Sequence, residues 1–242
     1  MALSLTQTEA VRRLLKPGMR VCSFGYPDII APLPMIEKLL GNQYPLLEAR
    51  ADSDIICKRH GLTYHPIPDA HSLFTLLDCQ LDVWDIMQER GCEILCDLNE
   101  PMHLHNDYDI VLDVGTVEHC FNIAQAVMNM AGMVKEGGYI IHENPHSGWG
   151  NHGFYSLQPT FFHDFYSTNG FEIIECLLVA RNGDRISVPL TQRFNRADPV
   201  DANIFCMAQR NTIQSLVYPQ QSKYAKTAAG SSGEKLKEMA NG

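Results

Sequence analysis

Short apolar runs alternate along this chain with amphipathic stretches, the pattern of strands covered by helices on both faces. The segment TQTEAVRRLL predicts an opening helix, with Thr6 or Thr8 as N-cap and Lys16-Pro17-Gly18 as its stop. A strand is predicted at 19–24, a helix at 32–40, a strand at 80–84, a short helix up to Arg90-Gly91 and a strand at 93–96. Then come a strand at 108–114 and a helix at about 122–134. Lys135-Glu136-Gly137-Gly138 reads as a turn into a strand at 139–142, and 159–169 as a helix closed by Gly170. Two long apolar runs, 171–180 and 203–209, follow with no long helix between them, which predicts an antiparallel hairpin ending an otherwise parallel sheet. Residues 181–201, with Asn-Gly and Asp-Pro turns, connect them.

Residues 46–78 break this rhythm. ARADSDIICKRHG has helical character, but the prolines of TYHPIPDAH interrupt either element, so the segment reads as an insertion or a substrate-facing stretch. No internal repeat is present. From Gln220 onward the chain is polar and poor in aromatics, a composition that predicts disorder.

Composition narrows the picture. With 45% apolar residues, 242 residues build one substantial core, so a single domain over 1–210 with a polar tail over 211–242 is expected. The net charge of −9 argues against nucleic acid as partner, since phosphate backbones are held by dense Lys and Arg. No apolar run reaches the roughly 20 residues of a membrane span, and the first residues lack the order of a signal peptide; a cytoplasmic protein is expected. The eight cysteines are scattered through apolar runs without a C-x-x-C pair, which predicts reduced, mostly buried thiols.

The segment YDIVLDVGTVEH, a helix, and then VKEGGYIIHENP resemble the second half of the class I S-adenosylmethionine-dependent methyltransferases, as does LDVWDIMQERGCEILCDLNEPM upstream. The resemblance covers residues 80–210 well. It implies an α/β fold, Rossmann-like and doubly wound, with a mostly parallel seven-stranded sheet and an antiparallel C-terminal hairpin. It implies S-adenosylmethionine as cofactor and a small-molecule acceptor methylated on oxygen or nitrogen. Asp85 would accept from the ribose hydroxyls, Asp97 and Leu98 would border the adenine, and Asp113, Gly115 and Thr116 would lie beside the methionine part. The first third departs from the pattern. The family's first strand ends in a glycine-rich turn, whereas VCSFGYPDI offers Gly25 alone, 60 residues (85 − 25) before Asp85. An insertion, a first strand elsewhere, or a decayed cofactor site would each explain this.

Candidate chemistry clusters after the fourth and fifth strands. Glu118 and His119 are candidates for proton transfer from an acceptor, and a structural reading has Glu118 opening a helix and His119 packing on the sheet. The loop Trp149 to Tyr155 offers His152 as a third catalytic candidate and Asn151 and Tyr155 as acceptor contacts. His142-Glu-Asn-Pro-His146 matches H-E-x-x-H formally, but Pro145 and the apolar strand before it exclude the zinc-protease helix. A metal held by His142, His146 and His152 is a rival reading; the adopted one contains no metal. His103 and His105 are expected in a solvated loop. A scaffold that kept the fold without cofactor is a further rival. A nicotinamide dehydrogenase lacks its G-x-G-x-x-G.

Overall fold

In the computed structural model the described residues are 2–63, 66–103, 105–194 and 201–224. The strands in chain order are β1 (Ala2–Leu3), β2 (Arg20–Phe24), β3 (Asp28–Ile29), β4 (Gln80–Asp85), β5 (Ile94–Leu95), β6 (Tyr108–Val114), β7 (Val134–Ser147), β8 (Phe171–Ala180), β9 (Arg185–Ser187) and β10 (Ala202–Arg210). The helices are α1 (Leu5–Leu14), α2 (Leu33–Leu40), α3 (Ser53–His60), α4 (Ala70–Leu76), α5 (Ile123–Met133) and α6 (Pro159–Thr168).

Eight strands form one sheet in the order β5-β4-β2-β6-β7-β10-β8-β9. The five on one side run parallel, and β10 enters antiparallel between β7 and β8. Numbered along the chain, the parallel strands lie in the order 3-2-1-4-5, the doubly wound order, whose switch point falls between β2 and β6. The predicted hairpin of β8 and β10 is present, and β9 extends it at the edge.

Alternation within the strands fixes two cores. Cys22, Phe24, Val111, Ile140, Ile204 and Cys206 face α5 and α6. Val21, Ile110, Leu112, Val114, Ile141 and Phe205 face α1, α2 and α4. Because β6 is buried on both faces, all seven of its residues are buried, which is why YDIVLDV reads as a nearly continuous apolar run.

Several expectations change. Ser4, not Thr6 or Thr8, is the N-cap of α1, in a reciprocal capping box with Gln7. The helix expected before Gly91 does not form. Met87 N–H donates to the Asp85 carboxylate and Arg90 N–H to the Glu93 carboxylate, so side chains take the bonds a helix would have supplied. Lys135 to Gly138 lies inside β7, where the register against β6 shifts; a Cβ at Gly138 would sit 2.9 Å from the Asp109 carbonyl oxygen. The connection 181–201 carries β9, and residues 195–200 of it, like 225–242 of the expected tail, lie outside the described residues.

The crossover from β2 to β4 accounts for the long spacing between Gly25 and Asp85. It holds α2, α3 and α4, of which α3 and α4 fall within the segment 46–78. It is anchored by the buried Arg50, which donates to Asp28 at 2.6 Å and to Asp52 and lies 4.8 Å above the Tyr26 ring. All eight cysteines are free thiols, five of them buried.

Candidate functional site

The carboxyl ends of β2, β4, β5, β6 and β7 open into one cleft of about 580 Å³. This is the crevice at the switch point where doubly wound sheets take their ligands. At its start Gly25 adopts φ +80° and its N–H donates to the Trp84 carbonyl at 2.7 Å, turning the chain off β2 and leaving bare backbone against the cleft. Gly115, which follows β6 with φ +77°, also lines the cleft.

Of the residues singled out in the sequence, Gly25, Asp85, Asp97, Leu98, Gly115, Thr116, Glu118, His119 and His152 all line this cleft. Asp85 Oδ1 accepts Met87 N–H at 3.1 Å, and the Asp85 side chain is half-buried. Asp97 Oδ1 accepts both the backbone and side-chain N–H groups of Asn99, so the Asn99 turn holds it in place. Thr116 Oγ1 donates to the Phe24 carbonyl at 2.7 Å, tying the loop after β6 to the end of β2.

Three residues stand elsewhere. Asp113 is beneath the cleft floor, 1% exposed, and accepts from Thr116 N, Val117 N, Asn144 Nδ2 at 2.9 Å and His142 Nδ1 at 2.6 Å. With its oxygens taken by the protein, it shapes the loop that carries Gly115 and Thr116. Asn151 is exposed at φ +59° and Tyr155 donates its hydroxyl to the Phe121 carbonyl; neither lines the cleft.

The metal set His142, His146 and His152 is not assembled. His142 is fully buried in β7 between Asp113 and the Tyr166 hydroxyl, which lies 2.5 Å from its Nε2, and His146 Nδ1 bonds the Leu157 carbonyl. Since β7 is a strand, H-E-x-x-H has no helical face here. His103 and His105 are exposed, as expected.

Glu118 does not open a long helix. It sits in the 3₁₀ turn Val117–His119 with its side chain fully buried. Its Oε2 accepts Asn144 Nδ2 at 3.0 Å, while Oε1 has no hydrogen-bond partner. Burial and then the Asp113 carboxylate push its carboxyl up to about 8. His119 Nε2 and His152 Nε2 stand 3.9 and 3.6 Å from Oε1, beyond hydrogen-bond reach, and the two rings lie 5.1 Å apart. Burial, followed by the neighbouring His152, lowers the His119 imidazole below its ordinary value.

Two wall residues escape a reading of the sequence. Glu143, in β7 at the last pair with β6, accepts Asn203 Nδ2 from β10 at 2.9 Å, and burial pushes its carboxyl up to about 7. Its place just after the strand predicted at 139–142 was a readable signal; Asn203, brought across from an antiparallel strand, had none. The lining thus carries Asp85, Asp97, Glu118 and Glu143, and among the described residues no Lys or Arg.

Neither a protein-family model nor a curated protein sequence matches the chain. Its structure is similar to that of a geranyl diphosphate methyltransferase in complex with S-adenosylmethionine, at 9% identity over 85% of each chain with TM-score 0.49. It is also similar to the Burkholderia thailandensis 1,6-didemethyltoxoflavin-N1-methyltransferase with bound 1,6-didemethyltoxoflavin and S-adenosylhomocysteine, at 11% identity over 86% of this chain and 78% of that one, TM-score 0.46. A third is a methyltransferase from Aquifex aeolicus, 9% identical over 83% and 87%, TM-score 0.42. Likeness at this level concerns architecture, never chemistry, and the sheet order carries the architecture by itself. A five-stranded parallel half in the doubly wound order, closed by an antiparallel hairpin, gives this chain the fold expected of the class I S-adenosylmethionine-dependent methyltransferases.

Proposed function

We propose that this chain is a methyltransferase that uses S-adenosylmethionine to methylate an oxygen or nitrogen of a small-molecule or sugar-like acceptor. The observation that carries the reading is the charge of the cleft: the Asp85 and Asp97 carboxylates at the ends of β4 and β5, and no Lys or Arg among its described lining residues. Phosphate-bearing dinucleotides need cations or a glycine-rich helix start, and an acid-lined cleft repels them. A sulfonium with an adenosine and no phosphate suits it.

Asp85 keeps one carboxylate oxygen without a partner among the described residues, suited to the ribose hydroxyls. Asp97 and Leu98 would flank the adenine, and Gly25, Gly115 and Thr116 would let the methionine part approach the backbone. Bound there, the cofactor would supply an electrophilic methyl group for transfer to the acceptor. The protein's work is alignment and exclusion of water. Glu118, His119 and His152 form the polar end of the cleft and are the groups the acceptor would meet. Free thiols throughout fit a reducing, cytoplasmic setting.

Calorimetric titration tests the reading. S-adenosylhomocysteine is expected to bind with a dissociation constant below about 100 μM and NAD⁺ not at all. Asp85→Asn should weaken the first by roughly 10–100-fold, the worth of charge-assisted hydrogen bonds to hydroxyls. If neither S-adenosylmethionine nor its demethylated product binds below about millimolar, the enzyme reading fails and a cofactor-less scaffold takes its place.

A further inference from the structure

At the polar end of the cleft, we infer that Glu118 Oε1, His119 Nε2 and His152 Nε2 form a binding site for a divalent first-row transition-metal ion. One ligand atom from each of the three residues lies within 4.8 Å of the other two. Two atoms each about 2.1 Å from a common ion at the tetrahedral angle stand about 3.4 Å apart. The observed 3.6 and 3.9 Å from the carboxylate oxygen to the two imidazole nitrogens are therefore a few tenths of an ångström wider than a filled site would set them.

The independent observation is Glu118 itself. Its side chain is wholly buried, its Oε2 is tied to Asn144, and Oε1 has no hydrogen-bond partner in a residue that borders the cleft. Buried carboxylate oxygens are ordinarily satisfied, and an orphan facing two imidazoles fits an atom reserved for a cation. Asn144 also bonds Asp113, so the ligand carboxylate is oriented from behind, as metal-bound carboxylates commonly are.

The fold also holds His152 in position, although it lies 33 residues (152 − 119) from His119. The Phe154 N–H donates to the Glu118 carbonyl at 2.8 Å. Gly153 packs so tightly there that a Cβ would come within 2.8 Å of the same oxygen. The Trp149 ring stands edge-on to His152 at 5.6 Å. Two imidazoles and one carboxylate select ions such as Zn²⁺, Fe²⁺ or Co²⁺ over Mg²⁺ or Ca²⁺, which prefer all-oxygen shells. Three protein ligands leave coordination positions open, and the half-exposed imidazoles put those positions on the cleft side, where an acceptor oxygen would take one. In that case His119 and His152 are ligands and not proton acceptors.

The test is a Co²⁺ titration of the full chain, made metal-free by chelation and carrying no polyhistidine tag, in the absence of S-adenosylmethionine. One equivalent should bind with visible d–d absorption and be displaced by Zn²⁺. His119→Ala and His152→Ala replace half-exposed side chains and so should fold, which circular dichroism checks. Each should weaken Co²⁺ by about tenfold or more, since even groups behind a ligand are worth that much. His105→Ala, in the exposed loop, should bind as the wild type does. The inference is overturned if the wild type takes up no cation below about 1 mM, or if the His119 and His152 variants bind as it does. Because no cofactor is present, failure of cofactor binding would sink the proposed methyl transfer without touching this site.

Discussion

Replacing Glu143 with Gln should stabilise the protein at alkaline pH and much less at acid pH. Glu143 is 9% exposed, its Oε1 accepts Asn203 Nδ2, and its Oε2 has no partner. Burial raises its carboxyl from the ordinary 4.5 to about 7, against the opposing pull of the Asn203 hydrogen bond and the more distant Arg185. Between those values the folded chain holds a proton that the unfolded chain has lost. Stability therefore falls as pH rises: the contribution is fully present below about 4.5 and lost as pH passes 7. At about 1.4 kcal/mol per tenfold change in proton affinity, the full span is roughly 3 kcal/mol. The amide introduced by Glu143→Gln would keep the bond from Asn203 and never ionise. Urea unfolding of both proteins from pH 4.5 to 8.5 should show their difference moving by roughly 3 kcal/mol in favour of the variant. A difference that stays level across that range would mean that Glu143 ionises in the fold as readily as in water, and that burial does not hold its proton.

Three further substitutions probe other parts of the molecule. Asp113→Ala would strip acceptors from His142, Asn144 and two backbone N–H groups at once, and should cost about 3 kcal/mol or more in denaturant unfolding. Tyr166→Phe removes only the hydroxyl on His142 Nε2 and should cost about 1–3 kcal/mol by the same measurement. Gly115→Ala forces a side chain into φ +77° with its Cβ 3.2 Å from Glu118 Oε1; it should lose about 1 kcal/mol of stability and also weaken S-adenosylhomocysteine binding by calorimetry.

Much of the fold was legible because strands buried on both faces leave unmistakable apolar runs. YDIVLDV, FEIIECLLVA and ANIFCMAQR were placed to within a residue or so. The misses have local causes. Side-chain carboxylates of Asp85 and Glu93 displaced a helix, and Gly137-Gly138, a turn signal in isolation, became a bulge because β6 pairs alongside. α4 was overlooked because HSLFTLL, taken alone, is too short and too apolar for its period to be read. At the site, strand-end position marked Asp85, Asp97, Gly115 and Glu118, since the doubly wound sheet sends its carboxyl ends to one crevice. Nothing local separates Asp113, which serves the loop from below, from Asp85, which faces the cleft. Nor does spacing reveal that His152 returns to Glu118; that depends on Gly153 fitting against the Glu118 carbonyl.

A crystal structure of the chain with S-adenosylhomocysteine would put the proposed cofactor site to its plainest test. Density is expected in the crevice between Gly25 and Gly115, with the ribose hydroxyls on Asp85, the adenine beside Asp97 and Leu98, and the sulfur turned toward Glu118, His119 and His152. An empty crevice at millimolar ligand, or the ligand bound elsewhere on the chain, would overturn the proposal.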